Sequence, residues 1–134
     1  MAVVLDSDAV VGFLDRDDAL HGAADDAIRD LIGTHRLLVS AVTYAEVLTG
    51  ARLGHHDEEQ ARGFFYELTS GILSVDMEIA EKAAELRSRL KSLRMPDALV
   101  LATADIAPEV ELVLTGDRQM ERVSGLACQI QVLP

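Results

Sequence analysis

Residues 2–14 read AVVLDSDAVVGFL. Ala2 to Leu5 is a short, unbroken apolar run, the pattern of a strand buried on both faces. It stops at Asp6-Ser7-Asp8, and a second apolar segment, Ala9 to Leu14, follows at once as a helix. Buried strand, acidic turn and helix together open a parallel α/β domain. Sheets of that kind take ligands outside the carboxyl ends of their strands, so Asp6 is expected at the binding rim.

Outward from that unit, 134 residues make a single domain, 1–134, with one core and no linker, repeat or low-complexity stretch. A composition 49% hydrophobic and 26% charged is that of a folded, soluble chain. No apolar run approaches the roughly 20 residues of a membrane helix, and the start lacks a basic leader. The single Cys128 sits in a late apolar segment and reads as a core thiol, consistent with a reducing cytoplasm. The net charge of −11 argues against a general nucleic-acid coat protein. Excess acid leaves a solubilising surface, a cation site or a docking face for a basic partner.

Farther along, strands and helices alternate. Helices are expected at Ala19–Ile32, capped by Asp17 or Asp18, at Val47–Leu53 and at Asp57–Thr69. Met77–Leu93 carries an apolar stripe of Ile79, Ala83, Leu86, Leu90 and Leu93, with Glu78–Lys82 and Glu85–Arg89 pairs. Pro96 starts a further helix over Asp97–Ile106. Strands are expected at Leu37–Val39, Ile72–Val75, Glu111–Leu114 and Ala127–Leu133, and a short helix at Gln119–Val123. The result is a three-layer α/β fold with a largely parallel sheet of about five strands flanked by helices. His55-His56 has no third metal ligand nearby in sequence.

Asp6, Glu46, Asp97 and Asp117 each stand where the backbone changes element. Each has a local explanation. Asp6 or Asp8 can cap the first helix, Thr43-x-x-Glu46 fits a capping box, Asp97 suits a first helical turn, and Gly116-Asp117 suits a turn. Yet strand ends and the helix starts that follow them share one rim of a doubly wound sheet. Acids converging there repel one another unless a cation lies between them. Oxygen donors suit Mg²⁺ or Mn²⁺, which activate water and neutralise phosphate. Asp105 lies eight residues beyond Asp97, about 12 Å along a helix, too far to share the ion.

On VVLDSDAVVGFL, VSAVTYAEVLTGA, MPDALVLATA and LVLTGDRQM, in that order and spacing, the chain resembles the PIN-domain ribonucleases, specifically the VapC-type toxins of bacterial toxin–antitoxin pairs. The resemblance spans essentially the whole length and implies a PIN-like fold. It also implies that Asp6, Glu46, Asp97 and Asp117 are catalytic and ligate the metal, with Ser7 and Thr115 as polar support. Endonucleolytic RNA cleavage and neutralisation by a cognate, VapB-like antitoxin follow in the same way. Two residues depart from the pattern. Asp8 replaces the usual small Ser or Asn, leaving it a helix cap or an outer acid, and Met120 replaces a common aromatic.

Three functional readings result. The first is a Mg²⁺- or Mn²⁺-dependent endoribonuclease whose RNA reaches the acids past Arg87, Arg89, Lys91, Arg94, Arg118 and Arg122. The second is a phosphatase of the haloacid dehalogenase type with Asp6 as nucleophile and Gly116-Asp117-x-x-x-Glu121 as its metal end. It leaves Glu46 and Asp97 without a role. The third is a non-catalytic acidic module in which Phe64-Phe65-Leu68 or the Ile79–Leu93 stripe forms a homodimer face or a groove for a partner helix.

Overall fold

The computed structural model describes residues 1–134 and has five strands, all parallel, in the order β3-β2-β1-β4-β5. The strands are β1 (Ala2–Leu5), β2 (Arg36–Ser40), β3 (Gly71–Leu73), β4 (Val110–Thr115) and β5 (Gln129–Val132). Helices α1 (Ser7–Leu14) and α2 (His21–Ile32) link β1 to β2, and α3 (Ala41–Arg52) and α4 (Glu58–Glu67) link β2 to β3. Helices α5 (Met77–Arg89) and α6 (Met95–Ile106) return to β4, and a 3₁₀ turn over Arg118–Arg122 precedes β5. No helix is long and apolar enough to cross a membrane.

β1 is central, and its four residues are fully buried. Ala2 and Val4 enter a core with α5 and α6, whereas Val3 and Leu5 enter a second core with α1 to α4. Two-sided packing explains the unbroken apolar run. Winding reverses between β1 and β4, where Val3 pairs with Leu112 and Leu5 with Leu114. That switch point opens a crevice at the carboxyl ends.

Local chemistry sets the helix starts, and several differ from expectation. Neither Asp17 nor Asp18 caps α2, because the Asp18 carboxylate accepts from the Leu20 amide in the preceding turn. Helix α3 begins directly at the end of β2, six residues earlier than expected, and Ser40 is its cap through the Val42 amide. Thr43 and Glu46 therefore form no capping box. Thr43 is fully buried with its hydroxyl unpartnered, and Glu46 lines a cavity together with Ser7 and Asp8. Helix α5 stops at Arg89, its cap Leu90 being extended, and Lys82 pairs with Glu85 and Asp105 rather than Glu78. The expected Glu85–Arg89 pair is present at 3.7 Å.

The apolar surfaces considered for partners are interior. Phe64 and Phe65 are buried, packing on each other and on Phe13 and Tyr44 respectively. Ile79, Ala83, Leu86 and Leu93 belong to the core beneath α6. Cys128 is a buried free thiol whose pKa burial pushes up.

A candidate metal centre at the switch point

Asp6 follows β1 and is both the last link to the sheet and the cap of α1. Its amide donates to the Leu114 carbonyl at 2.9 Å, and its Oδ1 accepts from the Ser7 amide at 2.9 Å. Its Oδ2 accepts from the Thr115 hydroxyl at 2.8 Å, across the gap between β1 and β4. The Thr115 oxygen in turn accepts from the Asp117 amide at 3.0 Å. One buried hydroxyl thus ties the first acid to the turn that carries the last.

Asp8 is a further member of this set. Its Oδ1 accepts from the Gly116 amide at 2.9 Å, pinning the start of α1 to the turn after β4. It is not the cap of α1, which is Asp6, and its carboxylate is held by a backbone amide. The fit is close: a Cβ at Gly116 would lie 3.1 Å from Asp8 Oδ2 and 2.4 Å from Leu20 Cδ1.

Asp97 lies in the first turn of α6 and is buried, with Arg94 Nε 3.5 Å from its Oδ2. Asp117 Oδ1 caps the 3₁₀ turn through the Gln119 amide at 2.9 Å. Glu46 is half-buried, in the second turn of α3.

Electrostatics couple these acids. Burial, then the Asp8 charge, push the Asp6 carboxyl up to about 7 against the pull of its Thr115 and Ser7 hydrogen bonds, with Asp97 adding to the rise. Burial also raises Asp8, Glu46 and Asp97. Asp117 adds to the rise at Asp8 and Asp97, and Asp97 to that at Glu46; Arg94 opposes the rise at Asp97 and Glu46. Mutual repulsion of this kind marks carboxylates gathered without enough positive charge.

Two cavities border the cluster. One of about 370 Å³ is lined by Ser92, Leu93, Arg94, Asp97, Asp117 and Gln119. The other, about 290 Å³, touches Ser7, Asp8, Glu46, Gly50, His55 and His56. Larger hollows lie between α2 and α4 and beside β3, but they hold none of the coupled acids. Hard oxygen donors and surplus negative charge fit a divalent cation by type. As they stand, no three carboxylate, imidazole or thiolate groups close on one point tightly enough to hold an ion. Asp6 Oδ2, Asp97 Oδ2 and Asp117 Oδ1 are each engaged by a protein donor or cation.

The bases singled out from sequence divide. Arg87 donates to the Leu93 carbonyl at 2.7 Å, and Arg89 to the Ser124 carbonyl at 3.3 Å. Both are thereby tied to the loops that close the α5–α6 layer. Lys91, Arg118 and Arg122 are exposed. Arg94 alone pairs with one of the four acids. Asp105 stands apart, accepting from the Ala127 amide at 2.6 Å and pairing with Lys82 at 3.4 Å. The sequence marks Gly116 only as a turn residue and gives no sign that its amide positions Asp8.

The fold is similar to several solved toxin–antitoxin proteins. VapBC2 from Rickettsia felis, bound to a DNA fragment from its promoter, superposes with a TM-score of 0.77 at 15% identity, covering 100% of both chains. A toxin–antitoxin complex from Klebsiella pneumoniae gives 0.75 at 24% identity, covering 97% of each. Mycobacterium tuberculosis VapC20, a sarcin–ricin loop cleaving toxin, gives 0.69 at 16% identity over 92% of this chain and 97% of that one. No curated protein matches the chain. At these identities the superpositions establish the fold. The sequence profile of the PIN domain matches residues 3–126, and on that match the chain belongs to the PIN domain family.

Proposed function

We propose that this protein is a divalent-metal-dependent endoribonuclease, the VapC-like toxin of a toxin–antitoxin pair. The observation that carries the reading is the buried Asp6, its carboxyl pushed up to about 7 beside Asp8 and Asp97 at the sheet's switch point. A carboxylate that costly to ionise alone is one suited to a cation.

Asp6, Glu46, Asp97 and Asp117 would hold the ion. When bound, Mg²⁺ or Mn²⁺ there supplies Lewis-acid activation of water and neutralises phosphate charge. Thr115 and the Ser7 amide fix the Asp6 carboxylate in one orientation. Asp8 ties the start of α1 to the turn after β4 and adds negative charge beside Asp6. The starts of α1 and α6 face the same crevice, and their amide-rich ends favour a phosphate approaching it. RNA would lie across the two cavities, with Arg94 and Arg118 at the approach.

The toxin–antitoxin complexes that share the fold support a VapB-like antitoxin as partner, and RNA as substrate is supported by the cleavage named for VapC20. A homodimer is proposed as the free form. The haloacid dehalogenase reading leaves Glu46 and Asp97 idle, although both take part in the electrostatics of the cluster. The test is metal-dependent hydrolysis of RNA by the purified protein. Asp6→Asn is expected to abolish it without unfolding the chain. Undiminished cleavage by that variant, or in excess EDTA, refutes the proposal.

A further inference from the structure

We propose that Arg94 is an exchangeable counter-ion, holding Asp97 in the metal-free protein and passing to a substrate phosphate when a divalent cation takes Asp97. The proposal rests on the metal-dependent nuclease reading above.

Arg94 is the cap residue of α6, but its side chain makes no capping bond; only its backbone carbonyl serves the helix, accepting from the Ala98 amide at 2.9 Å. The guanidinium can therefore leave without unwinding the turn that carries Asp97. Its hold is loose. Nε stands 3.5 Å from Asp97 Oδ2, longer than the roughly 2.7–2.9 Å of a charge-assisted hydrogen bond. The Arg94 side chain is 73% exposed while that of Asp97 is 12% exposed. A pair of that type shifts an equilibrium by about fivefold at most.

Its neighbours leave Arg94 a second place to go. It shares the cavity of about 370 Å³ with Ser92, Asp97, Asp117 and Gln119, so one side chain borders both the acids and the space beside them. Were Asp97 to hold a doubly charged ion, the guanidinium would be repelled from that carboxylate. The planar fork then suits two phosphate oxygens. Arg87 and Arg89 cannot substitute, since both are committed to backbone carbonyls.

The experiment compares wild type with Arg94→Gln in two binding measurements. Mn²⁺ affinity, read by electron paramagnetic resonance of the free ion, is expected to tighten about two- to fivefold in the variant, since a competing cation is gone. Binding of a fluorescent random-sequence RNA 20-mer is expected to weaken severalfold in Ca²⁺. The salt slope of that binding should fall by about 0.7, the value of one lost single-strand phosphate contact. In EDTA, where Arg94 remains on Asp97, the two proteins should bind the RNA alike. Arg94→Lys should retain part of the RNA affinity.

Unchanged or weaker Mn²⁺ binding by Arg94→Gln overturns the proposal, as does an RNA defect equal in Ca²⁺ and EDTA. Wild type that takes up no Mn²⁺ at all overturns the nuclease reading as well, which separates the two failures.

Discussion

Replacing Asp6 by Asn should make the metal-free protein more stable, and only at neutral to alkaline pH. Asp6 is 3% exposed, and its carboxyl moves from 3.8 to about 7 on folding. The folded state thus holds this proton more tightly than the unfolded one. The resulting stability is complete below the unfolded value of 3.8 and is lost as pH rises to about 7. At about 1.4 kcal/mol per unit, roughly three units amount to about 4 kcal/mol. Asn escapes that loss. Its Oδ1 still accepts from the Ser7 amide, but its Nδ2 meets the Thr115 oxygen, which must turn its proton toward Asp8 Oδ1 at 3.5 Å. That exchange costs about 1 kcal/mol. The expected balance for Asp6→Asn in EDTA is a gain of about 2–3 kcal/mol at pH 8 and a loss of about 1 kcal/mol at pH 4. Urea unfolding of both proteins across that range measures it directly, with a melting shift on the order of 10 °C at pH 8 as a second readout. A stability difference that is flat with pH, or a less stable Asn variant at pH 8, refutes the assignment of buried, mutually repelling carboxylates.

Two other substitutions separate scaffold from chemistry. Asp105→Ala removes the acceptor of the Ala127 amide and a partner of Lys82, and should destabilise by about 1–2 kcal/mol in urea while RNA hydrolysis per folded molecule is unchanged. Gly116→Ala places a methyl group 2.4 Å from Leu20 Cδ1 and 3.1 Å from Asp8 Oδ2. Leu20 can rotate away, but Asp8 is tethered to the same residue's amide, so a loss of about 1–3 kcal/mol and a lower initial rate of RNA cleavage are expected.

Local patterns made much of this legible from sequence. The β1 run and the acids at element ends depend on neighbours within a few residues, and the five parallel strands follow from their alternation with helices. Boundaries failed where a nearby residue competed better. Ser40, placed at the very end of β2, took the cap expected of Thr43, and Glu46, instead of serving the backbone, lines a cavity with Ser7 and Asp8. Lys82 chose Asp105, far away in sequence, over Glu78 on its own helix. The bridges Thr115–Asp6 and Gly116–Asp8 join residues 109 and 108 positions apart, and no periodicity encodes such a meeting. The bond from Arg87 to the Leu93 carbonyl was hidden for the opposite reason: the α5 pattern ran on past the point where the helix turns aside.

Because the Thr115 that holds Asp6 lies on a strand made 109 residues later, a growing polypeptide carries only part of the constellation for most of its synthesis. Val110–Thr115 must leave the ribosome and slot in beside Ala2–Leu5 before the acids meet. Nascent chains shorter than that lack the Thr115 and Gly116 partners of Asp6 and Asp8. On the nuclease reading proposed above, the pairing of β4 with β1 is what completes the acid cluster, and a protein that binds the chain before that pairing would act before any turnover.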